Sequence, residues 1–429
     1  MPLHLAGAMK DGRVLIVGSG GREHAISLGL AKSKSVSEIH IAPGNAGTSE
    51  VGLNHDVSAD DIDSLCELAA HLNADLVVIG PEAPLVAGLA DRLREMGVPC
   101  FGPNAEGAKL EGSKQHAKRI MDSLGIPTAG SIVINHPSQI EEALQGFSNP
   151  WVIKRDGLAA GKGVTVTEDY ALAMAAAREA VKMDGRVLIE EFLPGEEASI
   201  LVLMDESGFS VLPTSQDHKR LNDQDEGPNT GGMGAYSPAP IVTESVMCHV
   251  VERIIQPMYD YLSSQTSPYR GCLYVGLMIE EEMPKVVEFN VRLGDPETQV
   301  TLPLIESDLG DLLWATSTGR LSEFDLEVSP KHAATVVLAS EGYPENPKKG
   351  RALTGIFEED SKIEAIIHHA GTMREENDVL SSGGRVLSVT GISDNLEGAV
   401  RNAYARMSKV ELKGGHYRRD IGHRALEER

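Results

Sequence analysis

The first hundred residues alternate short apolar runs with helix-compatible stretches, joined by turns rich in glycine or proline. Residues 14–17 (VLIV) lead into Gly18-Ser19-Gly20-Gly21, residues 39–42 (IHIA) into Pro43-Gly44-Asn45-Ala46-Gly47, and residues 76–79 (LVVI) into Gly80-Pro81-Glu82-Ala83-Pro84. Strands alternating with helices at this spacing predict a parallel sheet with crossover helices. Ligands of such sheets gather at the carboxyl ends of the strands, and all three turns lie there. The chain has 429 residues, whereas a single core stops growing near roughly 250–300 residues. More than one domain is therefore expected, the first spanning 12–124.

From about residue 125 the pattern changes. Strand-like runs at 151–155 and 164–167 enclose a glycine-rich loop, Asp156-Gly157-Leu158-Ala159-Ala160-Gly161-Lys162-Gly163, followed by an alanine-rich helix and a strand at 187–189. This reads as a small lid over 125–193. A larger α+β block covers 194–328, with strands at 274–279 and 285–289. Short strands at 334–339 and 386–389 and a helix at 396–407 read as a separate small α+β domain over 329–429.

The balance of 39 Lys plus Arg against 63 Asp plus Glu gives a net charge of −24. Such a surface repels phosphate backbones, so nucleic-acid coating and binding to anionic membranes are not expected. An anionic substrate needs a local cationic pocket or a metal ion. The four cysteines form no CxxC pair, which fits a reducing compartment rather than a disulfide framework or structural zinc. No apolar run approaches the roughly 18 residues of a membrane span, and the opening residues do not read as a signal peptide. A cytoplasmic protein is expected.

Several segments carry candidate chemistry, each with a plainer alternative. The turn at 18–21 lacks the third glycine of a dinucleotide fingerprint, since Glu23 stands there, and Ala42-Pro43 replaces the acid expected after the second strand. What remains is an anion-binding turn or a purely structural one. The loop 157–163 is one residue short of a Walker A loop and has Gly163 where Ser or Thr should stand. With Lys154 and Lys162 it reads as a hairpin that folds over polyphosphate, or as a surface hairpin. Glu190 and Glu191 end a strand, with Glu197 close behind; solvated acids are the alternative. In Glu288-Phe289-Asn290, strand alternation puts Glu288 and Asn290 on one face and Phe289 on the other. Two oxygen ligands on one face suit magnesium, which shares its remaining positions with water and phosphate oxygens. An exposed polar face is the alternative. Arg292, Asp295 and Glu297 follow at once and suggest the wall of a site. Asp217 and Lys219 lie in SQDHKR (215–220), just before the glycine-rich, irregular GPNTGGMGAY (227–236), and Arg418-Arg419 offers two cations near the end or an ordinary solvated charge run.

Taken together, these segments resemble one family, phosphoribosylamine–glycine ligase (glycinamide ribonucleotide synthetase). The resemblance rests on GSGGREHA (18–25), APGNAGT (42–48), GPEAPL (80–85), LEGSK (110–114), DGLAAGKGV (156–164), IEEFLPGEEAS (189–199), SQDHKR, GPNTGGMGAYSPAP (227–240), EFN (288–290), RLGDPETQ (292–299), GGRVLSVT (383–390) and YRRDIGHRAL (417–426), in order along nearly the whole chain. It implies an ATP-grasp fold with an amino-terminal biotin-carboxylase-type (Rossmann-like) domain and a small carboxy-terminal α+β domain. It also implies ATP-dependent ligation of glycine to 5-phosphoribosylamine through glycyl phosphate, the second step of purine biosynthesis. By the resemblance, Lys114, Lys154 and the loop carrying Gly157, Gly161, Lys162 and Gly163 contact the ATP phosphates. Glu190 and Leu193 meet adenine, and Glu197 the ribose. Glu288 and Asn290 hold Mg²⁺ or Mn²⁺, and Arg292 steadies the acyl phosphate. Gly20, Arg22, Glu23, Glu82, Asp217, Lys219 and Asp295 surround phosphoribosylamine, with Arg418 and Arg419 on its phosphate. The expected partners are small molecules alone, bound by a monomer.

The chain departs from the family pattern in three places. Arg155 stands where a small residue is usual, which adds a cation near the phosphate loop. The connection Met183-Asp184-Gly185-Arg186 is short. Gly276-Leu277-Met278 offers no third carboxylate to the metal, so two protein ligands are expected. The competing readings are another ATP-grasp carboxylate–amine ligase or a formate-using enzyme, a nicotinamide oxidoreductase, and a regulatory module that binds ATP without turnover.

Overall fold

A computed structural model describes residues 9–158, 163–357 and 363–426. The amino-terminal segment forms the expected parallel sheet, in the order Leu53–Asn54, Val36–Pro43, Gly12–Gly18, Leu76–Ile79, Cys100–Phe101. Its central strand is apolar on both faces because helices and neighbouring elements cover both, and Val14 to Val17 are all buried. The turns after Gly12–Gly18, Val36–Pro43 and Leu76–Ile79 share one edge of the sheet.

The lid is an antiparallel sheet in the order Ser131–Ile134, Val187–Glu190, Trp151–Arg155, Val164–Thr167. The glycine loop joins its last two strands, which pair Trp151 with Thr167 and Lys154 with Val164. The helix Tyr170–Asp184 packs its alanine stripe, Ala173, Ala177 and Ala180, on this sheet. Small side chains there let helix and sheet approach closely.

A second antiparallel sheet, Gly208–Val211, Glu196–Asp205, Gly271–Glu280, Met283–Asn290, forms the floor of the site. The carboxy-terminal segment is less separate than its sequence suggests. Gln216–Asp217 and Gly234–Ser237 pair onward into His332–Ala339, Arg385–Ser393 and Ala365–His369, so one five-stranded sheet crosses the boundary expected at 328/329. The helix Leu396–Met407 covers it. No helix among the described residues is long and apolar enough to cross a membrane.

Candidate active site

A cavity of about 390 Å³ opens where the lid, the floor sheet, the amino-terminal turns and the carboxy-terminal sheet meet. Strand alternation sets its floor. Phe289, 2% exposed, points into the core beside Val275 and Val286, while Glu288 and Asn290 face the cavity. Asn290 donates to Glu288 Oε1 at 3.4 Å. Burial alone would push the Glu288 carboxyl up, but Lys219, Lys154 and Lys114 outweigh it and hold the group below its usual range. The pair offers two hard oxygen ligands on one face, and Gly276 pairs opposite Glu288 without contributing a third.

The lid-side wall is cationic. Lys154 and Lys118, each 5% exposed, converge on Glu190 at 2.8 and 3.4 Å. Two buried cations on one carboxylate leave a net positive charge, which suits an anionic ligand at the wall. Burial lowers the Lys118 ammonium from its ordinary value and Glu190 partly restores it. Lys118 also donates to Thr128 Oγ1 at 2.8 Å and to the Ala129 carbonyl at 2.9 Å. Lys114 reaches the Gly157 carbonyl at the start of the hairpin, 3.1 Å away. Gly157 and Gly163 line the cavity; Gly161 and Lys162 lie outside the described residues.

Opposite stands a network built on Arg292. Its guanidinium meets Glu111 at 3.0 Å and Glu82 at 3.3 Å. Burial disfavours this cation, but Glu111 and Glu82 more than offset that and keep it charged. Burial raises the Glu111 carboxyl although Arg292 opposes the shift. Asp295 is tied to Arg385 at 3.2 Å and to Gln299 at 2.8 Å. Burial works against its ionisation, and Arg385 and Arg22 win, so it stays below the usual carboxylate range. Lys219 links Glu197 at 2.6 Å and Asp217 at 3.2 Å.

The structure thus brings Arg22, Glu82, Lys114, Lys154, Gly157, Gly163, Glu190, Asp217, Lys219, Glu288, Asn290, Arg292 and Asp295 to one cavity. Other expected residues stand outside its lining. Glu23 is buried behind the first turn, where its carboxylate accepts the Gly20 N–H at 2.5 Å and Arg22 Nε at 2.6 Å. A Cβ at Gly80 would lie 1.8 Å from Glu23 Oε1, and one at Gly18 would lie 2.7 Å from its side chain. The glycines make room for this internal carboxylate, which occupies the amide that a dinucleotide phosphate would take. Gly20 and Glu23 therefore position Arg22 instead of touching the cavity. Leu193 is buried and Glu197 reaches the cavity through Lys219.

Two expectations about cations need correction. The Arg418 guanidinium is 0% exposed and is saturated by Asp225 at 2.8 Å and Asp420 at 2.7 Å, so it pins the carboxy-terminal loop and is not free for a substrate phosphate. Arg419 is exposed and held by its backbone N–H on Asp223, away from the cavity lining. Arg155 adds no charge to the phosphate wall either. It turns to Asp184 in a two-pronged pair at 2.8 Å, and the next connector cation, Arg186, reaches Asp156 at 3.4 Å. The short connection thus braces the base of the hairpin.

Sequence reading missed Glu111, Lys118, Tyr274, Tyr343 and Arg385, all in the lining. Tyr274 donates to Glu297 at 2.9 Å. Arg385 comes from the carboxy-terminal sheet and donates to the Gly231 and Asp295 carbonyls at 2.7 and 2.8 Å. Two signals were available, LEGSK with Glu111 and GGRVLSVT with Arg385, segments of the resemblance in which these residues were given no role.

Comparison with known proteins places this geometry in a family. Three models match in order: phosphoribosylglycinamide synthetase N domain over residues 12–111, its ATP-grasp (A) domain over 112–298 and its C domain over 333–424. Phosphoribosylamine–glycine ligase of Mycobacterium tuberculosis is 45% identical over 421 residues, covering 97% of this chain and 99% of the relative. The Streptomyces coelicolor ligase is 46% identical over 416 residues, covering 96% and 99%. The crystal structure of the Thermotoga maritima ligase superposes with a TM-score of 0.83 at 37% identity, covering 95% of this chain and 100% of that one. A biotin carboxylase domain from Hydrogenobacter thermophilus shares the fold at a TM-score of 0.71 and 14% identity, with 95% and 91% covered. The chain therefore belongs to the phosphoribosylglycinamide synthetase family.

Proposed function

We propose that this chain joins glycine to 5-phosphoribosylamine at the expense of ATP, giving glycinamide ribonucleotide, ADP and phosphate in purine biosynthesis. The observation that carries the reading is the placement, in one cavity, of a phosphate-suited wall (Lys114, Lys118, Lys154), a metal-suited pair (Glu288, Asn290) and a second cationic region (Arg22, Arg292, Arg385). The family and its relatives support it. The expected cellular site is the cytoplasm.

The chemistry follows from the carboxylate. Its negative charge repels a nucleophile and oxide is a poor leaving group, so the γ-phosphoryl group of ATP is first transferred to glycine. Lys114 and Lys154 neutralise and orient the phosphates, with Gly157 and Gly163 beside them in the lining, and positioning of this kind is most of what such a transfer needs. Glu288 and Asn290 would hold Mg²⁺ or Mn²⁺; their two oxygens fit such an ion, which when bound neutralises phosphate charge. Glu190, Leu193 and Glu197 bound the nucleoside end. Arg292, already flanked by two acids, steadies the acyl phosphate. Arg22, Arg385 and Lys219 offer cations to phosphoribosylamine, with Asp295 holding Arg385 and the Arg22 N–H and Glu197 holding Lys219.

The acyl phosphate makes a direct prediction. With glycine labelled by ¹⁸O in its carboxylate, one labelled oxygen appears in the inorganic phosphate of each turnover. Phosphate free of label would exclude phosphoryl transfer to glycine.

A further inference from the structure

Amide formation leaves a proton to be placed. When the neutral amine of phosphoribosylamine attacks the carbonyl carbon of glycyl phosphate, the new C–N bond puts a positive charge on nitrogen. That nitrogen must lose a proton before or as the C–O bond to phosphate breaks. A base is needed beside the acyl carbon, on the side away from the phosphate-binding lysines.

Most cavity carboxylates are already committed. Glu190 is held by Lys154 and Lys118, Glu111 by Arg292 and the Val291 N–H, and Asp295 by Arg385, Gln299 and the Arg22 N–H. Glu288 belongs to the metal-suited pair. Glu297 spends one oxygen on the hydroxyls of Tyr274 and Ser199, at 2.9 and 3.3 Å.

Asp217 differs. It lies at the end of the strand Gln216–Asp217, 3% exposed and in the cavity lining. One carboxylate oxygen meets Lys219 at 3.2 Å, and that lysine sits closer to Glu197, at 2.6 Å. Among the described residues the other oxygen has no hydrogen-bond partner, although Asp217 is not among the side chains sealed from solvent without one. Lys219 also lies near enough to Glu288 to depress it, as Lys154 and Lys114 do from the lid side. The Asp217–Lys219 pair therefore lines the same cavity as the metal-suited strand and acts on Glu288 through the Lys219 charge.

We infer that Asp217 is the proton acceptor in amide formation, taking the proton from the attacking nitrogen through its unpaired carboxylate oxygen. The proton passes on with the departing phosphate or to water, and the carboxylate is restored. The inference rests on the ligase reading. The groups facing Asp217 fit the task. Burial first, with Lys219 opposing it and Glu297 and Glu197 adding to it, pushes its carboxyl up to about 7, so it is both ionised and basic near neutral pH. Arg424 meets only its backbone carbonyl, at 3.4 Å.

The test separates the two half-reactions in Asp217→Asn, using hydroxylamine in place of phosphoribosylamine. Hydroxylamine is a strong neutral nucleophile that traps glycyl phosphate as the hydroxamate with little need of a base. In the variant, turnover to glycinamide ribonucleotide falls about 10²–10³-fold, the scale of general-base catalysis. Hydroxamate formation falls far less, and the rise of kcat with pH through about 7 is lost. Asp217→Glu recovers part of kcat together with the pH dependence. Parallel loss of both products, a rise in KM for glycine with kcat intact, or the same separation in Glu297→Gln but not in Asp217→Asn would overturn the assignment. Wild-type enzyme that forms no hydroxamate would overturn the acyl phosphate reading itself, a distinct outcome.

Discussion

Arg292 shows what a single residue must satisfy here. Its charge is buried between Glu111 and Glu82, and neither acid has another cation as close. Arg292→Ala should lower kcat about 10²-fold or more, the usual scale for losing a preorganised charge at a developing anion. It should change KM for ATP little, because the phosphate lysines are untouched. Arg292→Lys restores a charge but not the forked contact with two carboxylates, so it recovers little. Steady-state kinetics checks this, and an unchanged kcat in Arg292→Ala removes the residue from the mechanism. The reason Arg292 was legible in sequence is proximity: it follows Glu288 and Asn290 on the same run, so strand alternation and chain connectivity place it. Arg418 was misread for the opposite reason. A pair of arginines looks free when its partner, Asp225, lies 193 positions away.

At the scale of elements, the carboxy-terminal loop is held by an ionic knot. Arg418 and Arg424 both bond Asp225, and Arg418 also bonds Asp420. Although burial alone would raise it, Asp225 is drawn down to about 2 by these hydrogen bonds from an unfolded value near 3.8. A depressed carboxylate contributes stability that is complete above the unfolded value and is lost as pH falls through the folded one. Asp225→Asn should therefore lower the melting temperature by a constant amount above pH 4 and by a shrinking amount between pH 4 and pH 2. Thermal unfolding of both proteins across that range checks it, and a difference independent of pH would contradict it. Elements with strong local patterns were legible: the parallel strands, the lid hairpin and the strand Met283–Asn290 with Phe289 turned inward. The brace across the lid was not. Arg155 read as an extra phosphate cation because its partner Asp184 sits in a connection that sequence marked only as short.

At the scale of the molecule, the site is composite. The amino-terminal turns bring Arg22 and Glu82, the lid brings Lys154, the floor brings Glu288 and Asn290, the carboxy-terminal sheet brings Arg385, and the turn after His332–Ala339 brings Tyr343. The sheet that joins Gln216–Asp217 and Gly234–Ser237 to His332–Ala339 ties Asp217 to that last contribution. Such non-local pairing has no local signature, which is why Arg385 and Tyr343 were not legible while the reaction was. A composite site also implies that sustained turnover needs ATP, glycine and an amine that accepts the glycyl group. The most direct measurement is ADP release with magnesium ATP, glycine and freshly generated phosphoribosylamine, each omitted in turn. The account predicts sustained ADP release only with all three present, with glycinamide ribonucleotide formed in equal amount. Sustained ADP release without glycine, or none from the complete mixture despite ATP binding, would contradict it.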